Sequence, residues 1–194
     1  MQPGFARHRI VPENGGARVR IAKVDDARII RSISIASNVT RDSGAKTGFV
    51  EYETPGEDGY VERIKDNPFF YVAESEKGVV GFLSCFADTT IHKLGLDRDE
   101  IAMHVSKKPI PFIYADQLAV IDIFWKRGVA VGSLMSAFLG DASAAGYREV
   151  WAAVSHSPIR NLAARNLCAN FGFRCHEEIH AYKGLVFGIY KKEI

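Results

Sequence analysis

The chain has 194 residues, 47% of them hydrophobic and 25% charged, the profile of a globular protein long enough to bury a sizeable core. Its net charge of +2 and the lack of any long run of like charge give no ground for nucleic acid or a membrane as partner, and no stretch approaches the roughly 20 apolar residues that span a bilayer. Three cysteines, Cys85, Cys168 and Cys175, show no paired spacing, which argues against a disulfide framework. With no apolar signal core in the first residues, a cytoplasmic protein is expected.

Residues 1–18, with two prolines and three glycines in 1–17, read as an N-terminal arm, and 19–194 as one domain without repeats or a linker. Residues 19–22 alternate and predict a short strand. Asp25 and Asp26 supply the acidic start of a helix that carries Ala27, Ile30, Ile33 and Ser34 at helical spacing. Residues 38–60 are polar and predict a loop, with a short helix starting near Tyr60. Residues 69–74 and 79–86 predict a hairpin joined by Ser75-Glu76-Lys77-Gly78. Residues 88–109 read as an irregular insertion with helix around 97–105. Residues 113–123 predict a long buried strand. The following helix puts Val131, Leu134, Met135, Phe138, Leu139 and Ala142 on one stripe and ends at Gly146. Residues 150–154 predict another buried strand. Ser157-Pro158 is expected to open a helix that ends at Gly172-Phe173, and strands at 175–182 and 185–190 close the chain. Hairpins early and strand–helix–strand late predict a mixed α/β sheet with helices on both faces.

One motif suggests a metal. His176-Glu177-Glu178-Ile179-His180 matches the H-E-x-x-H pattern, which grips zinc only on a helix, where residues four apart share a face. Here the segment reads as a strand, which would hold the two histidines roughly 13 Å apart. No metal is expected.

A second stretch suggests an anion. Lys126-Arg127-Gly128-Val129-Ala130-Val131-Gly132-Ser133 lies where the long strand hands over to a helix. Free N–H groups and partial positive charge at a helix start suit phosphate oxygens; glycines allow close approach, and Arg127 adds fixed charge. The spacing is wrong for a P-loop, because no lysine precedes Ser133. It is also wrong for the dinucleotide fingerprint, whose glycine positions fall on Gly128, Ala130 and Ser133.

Arg127 to Gly132 does resemble the Arg/Gln-x-x-Gly/Ala-x-Gly/Ala loop of the GNAT superfamily of acyl-CoA-dependent N-acyltransferases. Asn161-Leu162-Ala163-Ala164-Arg165-Asn166-Leu167-Cys168, followed by Gly172-Phe173, resembles that family's Asn-x-x-Ala-x-x-Leu-Tyr-x-x-x-Gly-Phe helix ending. Leu118-Ala119-Val120 matches its central strand, and the three occur in the family's order. The resemblance covers about residues 19–190 and is strongest from 114 to 173. It implies a mixed central sheet splayed at its central strands and acetyl-CoA as co-substrate. The pyrophosphate would lie on the N–H groups of Arg127, Gly128, Val129, Ala130, Val131, Gly132 and Ser133. Pantetheine would pair along Leu118, Ala119 and Val120 as an added strand, and Asn161 would meet the cofactor.

The implied reaction is direct attack of a primary amine, on a small molecule or a protein, on acetyl-CoA in a ternary complex. It needs a base for the ammonium proton and an acid for the leaving thiolate. Where the family's acid tyrosine stands, this chain has Cys168, a thiol able in principle to donate. Asp116 is the candidate base; regular alternation would set it on one face with Leu118 and Val120. Glu51 and Glu53 are candidates to bind the amine, Tyr114 and Tyr182 are candidate substitutes for the missing tyrosine, and His156 is a further titratable group near the split. The competing reading is a non-catalytic acyl-CoA sensor or scaffold. Transfer of a longer acyl chain also stays open, as does a homodimer.

Overall fold

The computed structural model describes residues 17–109, 111–121 and 127–194, so the expected arm falls almost wholly outside the described residues, as do the last two residues of the expected long strand and Lys126. The described chain runs β1 (Arg18–Ile21), α1 (Ala27–Ala36), β2 (Asn38–Val39), β3 (Phe49–Val50), α2 (Glu57–Ile64), β4 (Phe70–Ser75), β5 (Gly78–Ala87), α3 (Asp88–Lys93), α4 (Glu100–Val105), β6 (Phe112–Val120), α5 (Arg127–Ala144), β7 (Glu149–Ser157), α6 (Leu162–Asn170), β8 (Arg174–Ala181) and β9 (Leu185–Glu193).

Seven strands form one mixed sheet in the order β1-β4-β5-β6-β7-β9-β8. Every neighbouring pair is antiparallel except β6 and β7. Because side chains alternate across a sheet, each strand feeds both faces. On one face Ile113, Leu118 and Val120 of β6 pack with Ala130, Leu134, Phe138 and Ala142 of α5 and with Cys168 of α6. On the other, Phe70, Phe82 and Ala119 pack against Ile30 and Ile33 of α1 and Tyr60 and Ile64 of α2. Phe86, Phe112, Tyr114 and Trp151 continue that face under α3 and α4, against Ile91, Ile101 and Val105. The helical stripe expected for α5 is present, with Val131 and Leu139 at its partly buried margins.

Three expectations need correction. Residues 38–60 hold a two-stranded parallel ribbon, Asn38↔Phe49 and Val39↔Val50, and α2 begins at Glu57 rather than near Tyr60. The acidic pair Glu57-Asp58 occupies its first turn, where the helix dipole favours negative charge. Ser157-Pro158 is a cis bond at the end of β7 and does not start a helix. Pairing of Ser157 with Val186 extends the strand that far, and α6 starts only after Asn161. That side chain accepts a hydrogen bond from Ala164 N at 3.0 Å and caps the helix.

Candidate functional site

The parallel pairing of β6 with β7 lasts four residues, from Phe112↔Glu149 to Ala115↔Ala152. Beyond it β7 stays joined to β9 as far as Ser157, and β6 stays joined to β5 as far as Val120↔Gly81. The two central strands therefore part after Ala115. Among the described residues, the β7-side backbone of residues 116–120 has no strand partner. Unpaired backbone amides and carbonyls at a strand edge accept an added strand. Gly81 holds β5 close to this stretch: a Cβ there would lie 2.6 Å from Val120 Cγ2 and 2.7 Å from the Ala119 carbonyl.

Six residues after Ile121 the chain starts α5. Its first turn carries no acidic side chain, and Gly128 and Val129 are exposed. A Cβ added at Gly128 or Gly132 would meet no described atom within 4 Å apart from the backbone of its own helix. Among the described residues nothing crowds this helix start, whose N–H groups carry partial positive charge. Of the turn flagged in the sequence, residues 128–133 lie in these opening turns, while the Arg127 side chain lies outside what is described. Leu118 and Val120 face α5, whereas Ala119 faces α1 and α2.

Asp116 is not on the face of Leu118 and Val120. The register shifts between Ser84↔Gln117 and Cys85↔Ala115, so Asp116 is an extra residue in β6, a β-bulge. The bulge breaks the alternation and sends both Asp116 and Gln117 toward α2. Gln117, 3% exposed, accepts a hydrogen bond from Tyr60 Oη at 3.1 Å. Asp116 Oδ2 accepts one from Arg63 Nη1 at 3.1 Å, and the same Nη1 donates to Tyr52 Oη at 3.2 Å. Arg63 also lies over the Phe86 ring, 5.7 Å from its centre. Burial pushes the Asp116 carboxyl up to about 6, despite the opposing pull of Arg63 and with a further push from Asp99. Nearby, Tyr182 Oη donates to Asp99, whose other oxygen caps α4 through Ile101 N and Ala102 N. Burial likewise holds Tyr52, Tyr114 and Tyr182 protonated well above the usual phenol range.

Tyr52 connects this buried group to the surface. It lines a cavity of about 420 Å³ together with Asn38, Val39, Thr40 and Glu51. Glu51 stands there with φ 48° and is held by Arg41 through Nε–Oε1 and Nη2–Oε2 contacts of 2.7 and 2.6 Å. Glu53 is exposed on the following loop. Arg63, Tyr52, Tyr60 and Gln117 escape the sequence reading. The three-residue spacing of Tyr60 and Arg63, which puts them on one face of a helix, was the available signal.

The remaining candidates sit elsewhere. Cys168 is 8% exposed, on the buried face of α6. Burial, with a smaller push from Cys175, raises its thiol to about 12. Asn161 caps α6, and its amide nitrogen lies 3.4 Å from the Gly48 carbonyl. The His176–His180 segment lies on β8, as its pattern predicts, and its side chains have separate partners: Glu177 with Lys108 and His104, Glu178 with His156, His176 edge-on to Trp151. Among the described residues no cluster of His, Cys, Asp or Glu could hold a metal ion, and no helix is long and apolar enough to cross a membrane.

No protein-family profile matches the chain, and no curated protein matches it. Solved structures do match. Ard1 from Thermoplasma volcanium superposes with a TM-score of 0.65 at 16% identity, over 93% of this chain and 98% of that one. Naa50 from Arabidopsis thaliana, solved in complex with the bisubstrate analogue CoA-Ac-MVNAL, gives 0.62 at 13% identity, over 92% and 99%. An acetyltransferase of the GNAT family from Listeria monocytogenes gives 0.59 at 14% identity, over 92% and 95%. At these identities the likeness is one of architecture, and it agrees with the split sheet and the three motifs: the chain is built on the fold of the GNAT acetyltransferases.

Proposed function

We propose that the protein transfers an acetyl group from acetyl-CoA to a primary amine by direct attack within a ternary complex. The observation that carries this reading is the juxtaposition at the split: unpaired β6 backbone on one side, an acid-free and uncrowded start of α5 at its end, and a buried carboxylate on the opposite face at the bulge. Pantetheine would pair along residues 118–120, and the pyrophosphate would take N–H groups of residues 127–133. Asn161 contributes by fixing the start of α6 through its cap.

In this account the Asp116 carboxylate takes a proton from the acceptor's ammonium. A carboxylate raised to about 6 is a stronger base than an ordinary aspartate and is still ionised at neutral pH. The nitrogen lone pair then attacks the thioester carbonyl carbon, and backbone N–H groups of β6 stabilise the developing oxyanion. The C–S bond breaks, and the proton left on nitrogen passes to the departing thiolate. Cys168 is assigned no proton transfer. A thiol near 12 would give its proton uphill to a thiolate whose own conjugate acid has a reference pKa of about 8.5. The cavity at Tyr52 and Glu51 would admit the amine.

The test is release of free thiol from acetyl-CoA in the presence of a panel of peptide and small-molecule amines. The proposal expects amine-dependent release for at least one acceptor class. Tight acetyl-CoA binding with no release for any acceptor would replace it with a non-catalytic acyl-CoA-binding role.

A further inference from the structure

Outside the acyl-transfer site, a second depression of about 400 Å³ lies between α6 and the β8–β9 edge. Arg160, Leu162, Arg165, Asn166, Cys175 and Tyr190 line it. It is a different wall of α6 from the one that carries the family motif. At 100° per residue, Leu162, Arg165, Asn166 and Ala169 form one stripe, and Asn161, Ala164 and Cys168 form another about a third of a turn away. The second stripe meets the core or caps the helix.

The floor of this groove is built. Glu178 of β8 pairs with His156 Nδ1 of β7 at 2.5 Å, His156 Nε2 lies 3.0 Å from Tyr190 Oη of β9, and Tyr190 faces the Arg165 guanidinium. Tyr190 is 6% exposed. The His156 ring stands edge-on to the Tyr190 ring, and only a glycine at 188 admits it: a Cβ there would lie 2.4 Å from His156 Cε1 and 2.5 Å from Nε2. Here a chain of polar groups from three strands ends at Tyr190, which shares the groove wall with the Arg165 guanidinium, a second guanidinium on Arg160 and the Asn166 amide. None of the lining residues is a carboxylate. The neighbouring Glu178 already has His156 as its partner.

We propose that this groove is a second anion site that takes the phosphate monoester of a small organic molecule. A guanidinium fork suits phosphate oxygens in pairs, and two guanidinium groups line this groove. The volume exceeds that of bare phosphate, and half-exposed Leu162 gives an apolar rim for a ring or sugar-sized group.

The experiment uses inorganic phosphate and AMP as probes and reads iodoacetamide labelling of Cys175 by mass spectrometry. Cys175 is exposed and lines the groove, while Cys85 and Cys168 are buried. The protein is held in saturating acetyl-CoA, so that any phosphate site at α5 is already taken. AMP is expected to slow Cys175 labelling in a saturable way, and phosphate to do so more weakly. Arg165→Ala should weaken protection at least tenfold, with partial recovery in Arg165→Lys. Arg160→Ala is a second variant on the same wall and should also weaken it. No protection by either probe at millimolar concentration would overturn the proposal, as would protection that appears only without acetyl-CoA, since that would assign the anion to the α5 site. The acetyl-CoA arm rests on the cofactor binding proposed above, but the probes need no turnover, and protection that is equal with and without acetyl-CoA and lost in Arg165→Ala assigns the groove even if acetyl transfer fails.

Discussion

At the scale of single residues the account turns on Asp116. Its carboxyl is raised from 3.8 to about 6 by burial, with Arg63 opposing. The folded state therefore holds this proton more tightly than the unfolded chain does. Its contribution to stability is complete below about pH 3.8 and is lost as pH rises through about 6. Activity runs the other way, because the base works only when ionised. Under this account kcat/KM for the acceptor falls tenfold per pH unit below about 6, beyond the change due to the amine's own titration, which a comparison of acceptors of different pKa separates. Asp116→Asn keeps an acceptor for Arg63 but no base, and is expected to lower turnover by about 100-fold while circular dichroism stays unchanged. Cys168→Ala should leave kcat within about twofold and lower Tm slightly, since it removes a buried atom from the core; a tenfold loss of kcat would return the acid role to the thiol. The sequence named Asp116 but gave it the wrong face. Alternation is a rule about regular strands, and nothing in "YADQLAV" marks the extra residue of a bulge. Arg63 and Tyr52 were invisible for a related reason: they reach Asp116 from positions 53 and 64 residues away.

At the scale of elements, the start of α5 separates helix stability from anion binding. Gly128 has open space around it, so Gly128→Asp fits without a clash. An acid in the first turn favours the helix by about 0.3–1 kcal/mol, and replacing glycine removes part of its backbone entropy cost. The same charge repels a pyrophosphate. The expected outcome is an unchanged or slightly raised Tm in differential scanning calorimetry together with acetyl-CoA affinity at least tenfold weaker. A variant that keeps wild-type affinity would show that the helix start holds no phosphate. Most elements were legible because their apolar spacing is strong: α1, the β4–β5 hairpin, β6, α5 and β7 all follow it. The α6 boundary was not, because proline at a helix start and proline in a cis bond after a strand look alike in sequence. There the Asn161 cap and the β7–β9 pairing decide. The ribbon of β2 and β3 was missed for want of length, since two residues carry no period.

At the scale of the whole molecule, the sheet opens between β6 and β7, and the proposed binding and chemistry use opposite faces of that opening. The parting of β6 from β7 after Ala115 exposes backbone; α5 begins just past the end of β6 on one face, and the Asp116 bulge opens on the other. Sequence motifs pointed to the first two parts, because a strand, a loop and a helix ending occur in that order along the chain. The third part needed the fold. The most direct measurement is a calorimetric titration of acetyl-CoA into the purified protein. The account predicts one-to-one binding at micromolar to low-millimolar concentration, with an affinity that falls as salt rises because charged phosphates meet a positive helix start. No binding of acetyl-CoA or of CoA up to several millimolar would contradict it.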